Sequence, residues 1–127
     1  MLLIYLLWLL RPMAADEFNE NRPIIQEIAL PKNFNQNQVV RLNCALVQGT
    51  QPLNFEWYFN GQKLENNNKT TIKIRDDSAD LIIRSLSVED LGDYKCTVSN
   101  TYGEDTQKVS LYTNGKLVIC LSNRISG

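Results

Sequence analysis

The stretch "DLGDYKC", residues 90–96, sets Asp90, Gly92, Tyr94 and Cys96 at every second position. Strand side chains alternate, so Tyr94 and Cys96 fall on one face and, in "YKCTV", Val98 falls there too. If that face is buried, the Tyr94 hydroxyl needs a partner. The turn just upstream offers a free carbonyl. Gly92 lets that turn take a conformation other residues resist, and Asp90 can accept turn amides or pair with a nearby base. The motif reads as a corner brace, not as an active site.

The same alternation recurs on both sides. "VVRLNCALV" puts Val40, Leu42, Cys44 and Leu46 on one face, and "LNFEWYF" does so with Leu53, Phe55, Trp57 and Phe59. Asn60-Gly61 follows as a hairpin turn, because both residues tolerate positive φ. "TTIKIR" sets Ile72 and Ile74 inward, "ADLIIRSL" offers Leu81, Ile83 and Leu86, and "QKVSLY" offers Val109 and Leu111. Residues 87–90 read as a short turn between strands of opposite sheets. A first strand in "PIIQEIALP", bracketed by Pro23 and Pro31, brings the count to about seven. Seven short alternating strands imply an all-β sandwich of two antiparallel sheets. Cys44 and Cys96 both face its interior, so their sulfurs are placed to meet between the sheets. Trp57, thirteen positions after Cys44, faces the same interior and can lay its ring on that bond.

The chain has 127 residues, 43% of them hydrophobic, and a net charge of −1, which suits one domain with a core and gives no pull toward nucleic acid. With no histidine, the serine–histidine and cysteine–histidine nucleophile pairs are excluded, and no cofactor motif is present. No enzyme is expected. The opening "MLLIYLLWLLRPMAA" holds nine apolar residues, Leu2–Leu10, then Ala14 and Ala15, which is the length of a secretory signal and too short for a bilayer span. The expected organisation is a signal peptide at 1–15, a linker at 16–22, a β-domain at 23–112 and an irregular tail at 113–127. In an exported chain a pair among Cys44, Cys96 and Cys120 reads as a disulfide. Cys120 is then an incidental thiol or the source of an intermolecular bond.

Taken together, Cys44, Trp57, Leu81-x-Ile83 and Asp90-x-Gly92-x-Tyr94-x-Cys96 resemble the immunoglobulin superfamily, nearest its I-set type. Within it, "LPKN", the Cys44 strand, "GTQPL" and the Trp57-to-Gly61 spacing are similar to early repeats of the Down syndrome cell adhesion molecule family. The resemblance implies an immunoglobulin-like Greek-key sandwich and a Cys44–Cys96 disulfide with Trp57 packed on it. It further implies a neuronal or immune cell-surface receptor working by homophilic adhesion, as in axon guidance. Such receptors have many domains and a membrane span, whereas one domain and no span are expected within these 127 residues, as in a fragment of a longer protein. A soluble secreted immune or ligand-binding protein is the alternative. Muscle filament repeats use the same pattern, and the apolar leader argues against them.

Four surface features complete the reading. Asn68-Lys69-Thr70 is an acceptor triplet for N-linked sugar, within the polar run "ENNNKTT". Arg41, Lys73, Arg75 and Arg84 are expected outward on neighbouring strands of one sheet, a basic face for a sulfated glycan or acidic protein, or an ordinary solvated face balanced by acids. On the other sheet Glu56 and Tyr58, with Lys95, Thr97, Lys108 and Ser110, are expected outward, a mixed face suited to a protein partner or to a second copy. Asp76, Asp77 and Asp80 lack the spacing of a calcium loop and read as a solvated connection. The expected location is extracellular, with no cofactor.

Overall fold

Short alternating strands bury their apolar sides by stacking two sheets face to face. A computed structural model of the chain describes residues 19–28, 33–113 and 118–125 and has this architecture. The expected leader (1–15), residues 16–18 of the expected linker, Pro31, positions 114–117 and 126–127, and the Cys120 side chain lie outside the described residues.

Among the described residues there are ten strands. They are β1 (Ile24–Ile25), β2 (Asn33–Phe34), β3 (Val40–Gln48), β4 (Asn54–Phe59), β5 (Gln62–Lys63), β6 (Thr70–Ile74), β7 (Ser78–Ile83), β8 (Gly92–Asn100), β9 (Gly103–Thr113) and β10 (Val118–Ile125). One sheet runs β1-β3-β7-β6 and the other β2-β10-β9-β8-β4-β5, every pairing antiparallel. A 3-10 turn, Val88–Asp90, carries the chain from β7 in the first sheet to β8 in the second, where the sequence places a turn.

The core lies where the two inner faces meet. Val40, Leu42 and Cys44 from β3, Leu81 and Ile83 from β7, Phe55 and Trp57 from β4, Tyr94, Cys96 and Val98 from β8, and Val109 and Leu111 from β9 are all buried. These are the alternate positions of each strand. Leu46, Leu53, Phe59 and Ile72 are only partly buried but pack against the same cluster. Ile74 departs from expectation. Its parity is inward, yet it is 60% exposed, because β6 is the edge of its sheet and the facing layer does not reach that far.

Cys44 and Cys96 are joined across the sandwich, 52 positions apart in sequence. Closing a loop of that length in the unfolded chain stabilises the fold by about 4 kcal/mol on the chain-entropy model. Trp57 stands opposite Cys96 in register and is 1% exposed. Its indole N–H crosses to the other sheet and donates to the carbonyl of Ala79, 3.2 Å away; Ala79 is itself opposite Cys44. The ring therefore spans the same gap as the disulfide, and its one polar atom is satisfied there.

Two expectations about the chain ends are corrected. The tail is not irregular throughout: Val118–Ile125 forms β10, paired residue for residue with β9 from Val118↔Thr113 to Ile125↔Thr106. The segment is rich in β-branched residues, and β9 without it would leave a long row of unpaired backbone groups. The expected linker is also not free over its described part. The Gln48 side-chain amide donates to the carbonyls of Asn19 (3.0 Å) and Arg22 (2.9 Å), and that of Asn100 donates to the carbonyl of Asn21 (2.6 Å). Residues 19–22 thus form a strap over one pole of the sandwich.

Candidate functional site

The corner brace is a compact polar network. Tyr94 is buried and donates its hydroxyl to the Asp90 carbonyl at 2.6 Å, the upstream carbonyl the sequence leaves free. The Asp90 carboxylate accepts the Ser87 amide at 2.8 Å, closing the turn on itself. The nearby base is Lys69, whose ammonium lies 2.9 Å from Asp90 Oδ2 and donates to the Ser85 carbonyl at 2.6 Å. Burial, with the Asp90 charge adding to it, pushes the Tyr94 hydroxyl well above the ordinary tyrosine range. It stays a donor. Phe59 packs on Tyr94 with ring centroids 4.7 Å apart.

Gly92 serves a closer fit than a turn alone. Its φ is +151°, and a Cβ there would stand 2.5 Å from Asn60 Oδ1 and 2.9 Å from Phe59 Cε1. The hairpin tip occupies that space. Asn60 (φ 48°) and Gly61 (φ 86°) form the two-residue turn between β4 and β5, and Asn60 Oδ1 accepts the Asp93 amide at 2.9 Å.

The outer face of β4, β8 and β9 carries the mixed-charge group. Tyr58, Lys95 and Lys108 share one cross-strand row, and Glu56, Thr97 and Thr106 the next. Tyr58 donates its hydroxyl to Glu56, and the Lys95 ammonium sits 4.7 Å from the centre of the Tyr58 ring. That bond, with one from Asn54, holds the Glu56 carboxyl below its ordinary range, and the same carboxylate raises the Tyr58 hydroxyl. Lys63 lies 3.7 Å from Glu56. Further along, Asp93 accepts Ser110 Oγ at 2.7 Å and pairs with Lys108 at 3.0 Å, and both hold its carboxyl low. Tyr58 is thus held in one orientation by an acid on one side and a cation over its face.

On the opposite sheet Arg41, Lys73, Arg75 and Arg84 are all exposed, on or beside the adjacent strands β3, β7 and β6. One of these charges meets an acid. Asp80, opposite Lys73 in register, pairs with Arg75 at 2.7 Å and accepts Asn43. Arg84 donates to Thr71 Oγ1 at 3.0 Å. Arg41 on β3 and Lys73 on β6 are exposed, and Asp80 lies on β7 between their strands.

Asn68 is exposed in the segment leading into β6, while Thr70 of the same triplet is buried. Two features escaped the sequence reading. Gln107 is 1% exposed, accepts the Ile28 amide (3.3 Å) and donates to the Ile25 carbonyl (3.2 Å), fastening the first strand where it leaves one sheet for the other. Its parity with Val109 and Leu111 is the available signal. Asn66 and Asn67, beside the acceptor triplet, bond to β6, and no local pattern announces that.

The family model of the immunoglobulin I-set domain matches residues 23–112. Muscle M-line assembly protein unc-89 of Caenorhabditis elegans is 36% identical over 78 residues, covering 61% of this chain and 1% of that protein. Cell adhesion molecule Dscam2 of Drosophila melanogaster is 39% identical over 77 residues, covering 55% of this chain and 4% of that protein. Among solved structures, the M1 domain from titin aligns with a TM-score of 0.65 at 29% identity, over 74% of this chain and 96% of that one. The chain therefore spans only a few per cent of the length of these curated relatives. Muscle and adhesion proteins match it about equally well, so the likeness to the Down syndrome cell adhesion molecule family is not specific. What they share is an immunoglobulin-like sandwich, a module for protein–protein interaction. By its family match and its fold, this chain belongs to the immunoglobulin I-set family.

Proposed function

We propose that this chain is an extracellular recognition module of the cell-adhesion kind, a unit of a receptor that binds a like domain. The contact is the outer face of β4, β8 and β9 around Tyr58. The observation that carries the reading is the Cys44–Cys96 disulfide: such a bond persists in an oxidising compartment, and the apolar run Leu2–Leu10 supplies a route there. The orientation of Tyr58 supports the choice of face, because an aromatic side chain held before binding costs little entropy on contact. Charges of both signs on one patch suit a surface that meets its own copy.

Sedimentation of the secreted, oxidised chain over a concentration range tests this. A monomer–dimer equilibrium abolished by Tyr58→Ala is expected. A concentration-independent monomer would favour the alternative, a soluble secreted immunoglobulin-domain protein with a different partner.

The exposed side chains of Arg41, Lys73 and Arg84 support a second, weaker contact for a sulfated glycan, with Asp80 offsetting Arg75. Unchanged retention of Arg41→Glu/Lys73→Glu on heparin would remove it.

A further inference from the structure

β6 ends its sheet, and its free side is the longest open strand edge of the four-stranded layer. Arg84 N–H donates to the Lys69 carbonyl and Arg75 N–H to the Ser78 carbonyl, so the odd-numbered residues from 69 to 75 bond toward β7. By alternation, Thr70, Ile72 and Ile74 turn their backbone groups outward. A threonine- and isoleucine-rich edge of this kind is a template for strand addition by another chain.

Here the edge is occupied. Asn67 Oδ1 accepts the Thr70 amide at 2.8 Å, and the Asn67 amide donates back to the Thr70 carbonyl at 2.9 Å. Asn66 Oδ1 accepts the Ile72 amide at 2.6 Å. Two of the three outward donors of β6 are therefore covered by consecutive asparagines of the loop before it. The third asparagine of that run, Asn68, is exposed at the same edge and heads the acceptor triplet.

We infer that Asn66, Asn67 and Asn68 act together as a seal on the β6 edge: the first two cap its amides, and the third carries an N-linked sugar that screens it. The sugar comes from a polyprenyl-pyrophosphate oligosaccharide. The bond from its C1 to the phosphate oxygen breaks, a C1–Nδ2 bond to Asn68 forms, the amide loses one proton and the lipid pyrophosphate leaves. Because Thr70 is buried once β6 is in place, the transfer precedes closure of this edge. The seal leaves the outer face of β4, β8 and β9 as the route to association. Only the sugar rests on the extracellular reading above. The two caps do not.

The test compares the secreted chain with Asn68→Gln, Asn66→Ala/Asn67→Ala and the triple variant. A glycosidase-sensitive mobility shift lost in Asn68→Gln is expected, and its absence in the parent removes Asn68 from the seal. With Tyr58→Ala added to silence the other face, the triple variant is expected to sediment as dimers or larger species, and that association is expected to be lost when Ile72→Pro is added as well. Ile72→Pro deletes an outward N–H that an edge position tolerates losing. In that background, a triple variant that sediments like the Tyr58→Ala chain, or association that survives Ile72→Pro, overturns the seal. Should the triple variant not fold, amide exchange in the sugar-free parent decides: Ile72 is expected to exchange about tenfold slower than Ile74, the ratio of one hydrogen bond. Equal rates overturn the caps.

Discussion

The ammonium of Lys69 sits 2.9 Å from Asp90 Oδ2, and the pair ties the approach to β6 in one sheet to the turn that starts β8 in the other. Lys69 is 37% exposed at its side chain and Asp90 13%, so water screens the cation more than the acid. Lys69→Met is expected to cost about 1 kcal/mol. Asp90→Ala should cost about 2 kcal/mol, since the Ser87 amide loses its acceptor as well. Urea unfolding with an unchanged slope would measure both.

Tyr94 links burial to alkaline stability. Its ionisation lies higher in the folded chain than in the unfolded one, first through burial and then through Asp90. The folded state therefore holds the proton longer. Its contribution is complete below the unfolded value of about 10 and falls away as pH rises above it. Tyr94→Phe should lose about 1 kcal/mol at neutral pH, through the missing bond to the Asp90 carbonyl, and should weaken the alkaline fall. Denaturant midpoints at pH 7 and at alkaline pH would show it.

Gly92→Ala places a methyl group against Asn60 and Phe59 at a backbone angle that side chains resist. A loss of about 2 kcal/mol is expected. Adding Asn60→Gly removes the closest obstruction, so the double variant should recover part of that loss. A thermal-melt double-mutant cycle measures the coupling.

Gln107→Leu keeps the volume but leaves the Ile28 amide and the Ile25 carbonyl without their partner. The expected cost is about 2 kcal/mol, with faster hydrogen exchange at Ile28 than at the amides of β3.

Much of this molecule is written at short range. The inward positions of β3, β4, β8 and β9 follow from a two-residue alternation, and the tyrosine brace and the Asn60-Gly61 turn need only a few neighbouring residues to be recognised. Ile74 shows where that reading stops. Its parity is right, but whether an inward position is covered depends on the reach of the opposite sheet. The basic group shows the same limit: a face balanced by acids was among the readings, but that Asp80, opposite Lys73 in register, is the acid that pairs with Arg75 was not legible.

The amino-acid order by itself determined the inner faces of β3, β4, β7, β8 and β9 and set Cys44 and Cys96 on them, because alternation and turn chemistry act between residues close along the chain. Only the folded arrangement decided which buried amides find partners and which edge is covered. Gln107 reaches Ile25 across 82 positions, Trp57 reaches Ala79 across 22, and β10 lies along β9. Such contacts arise when distant segments are brought within hydrogen-bond reach, and no local periodicity encodes them.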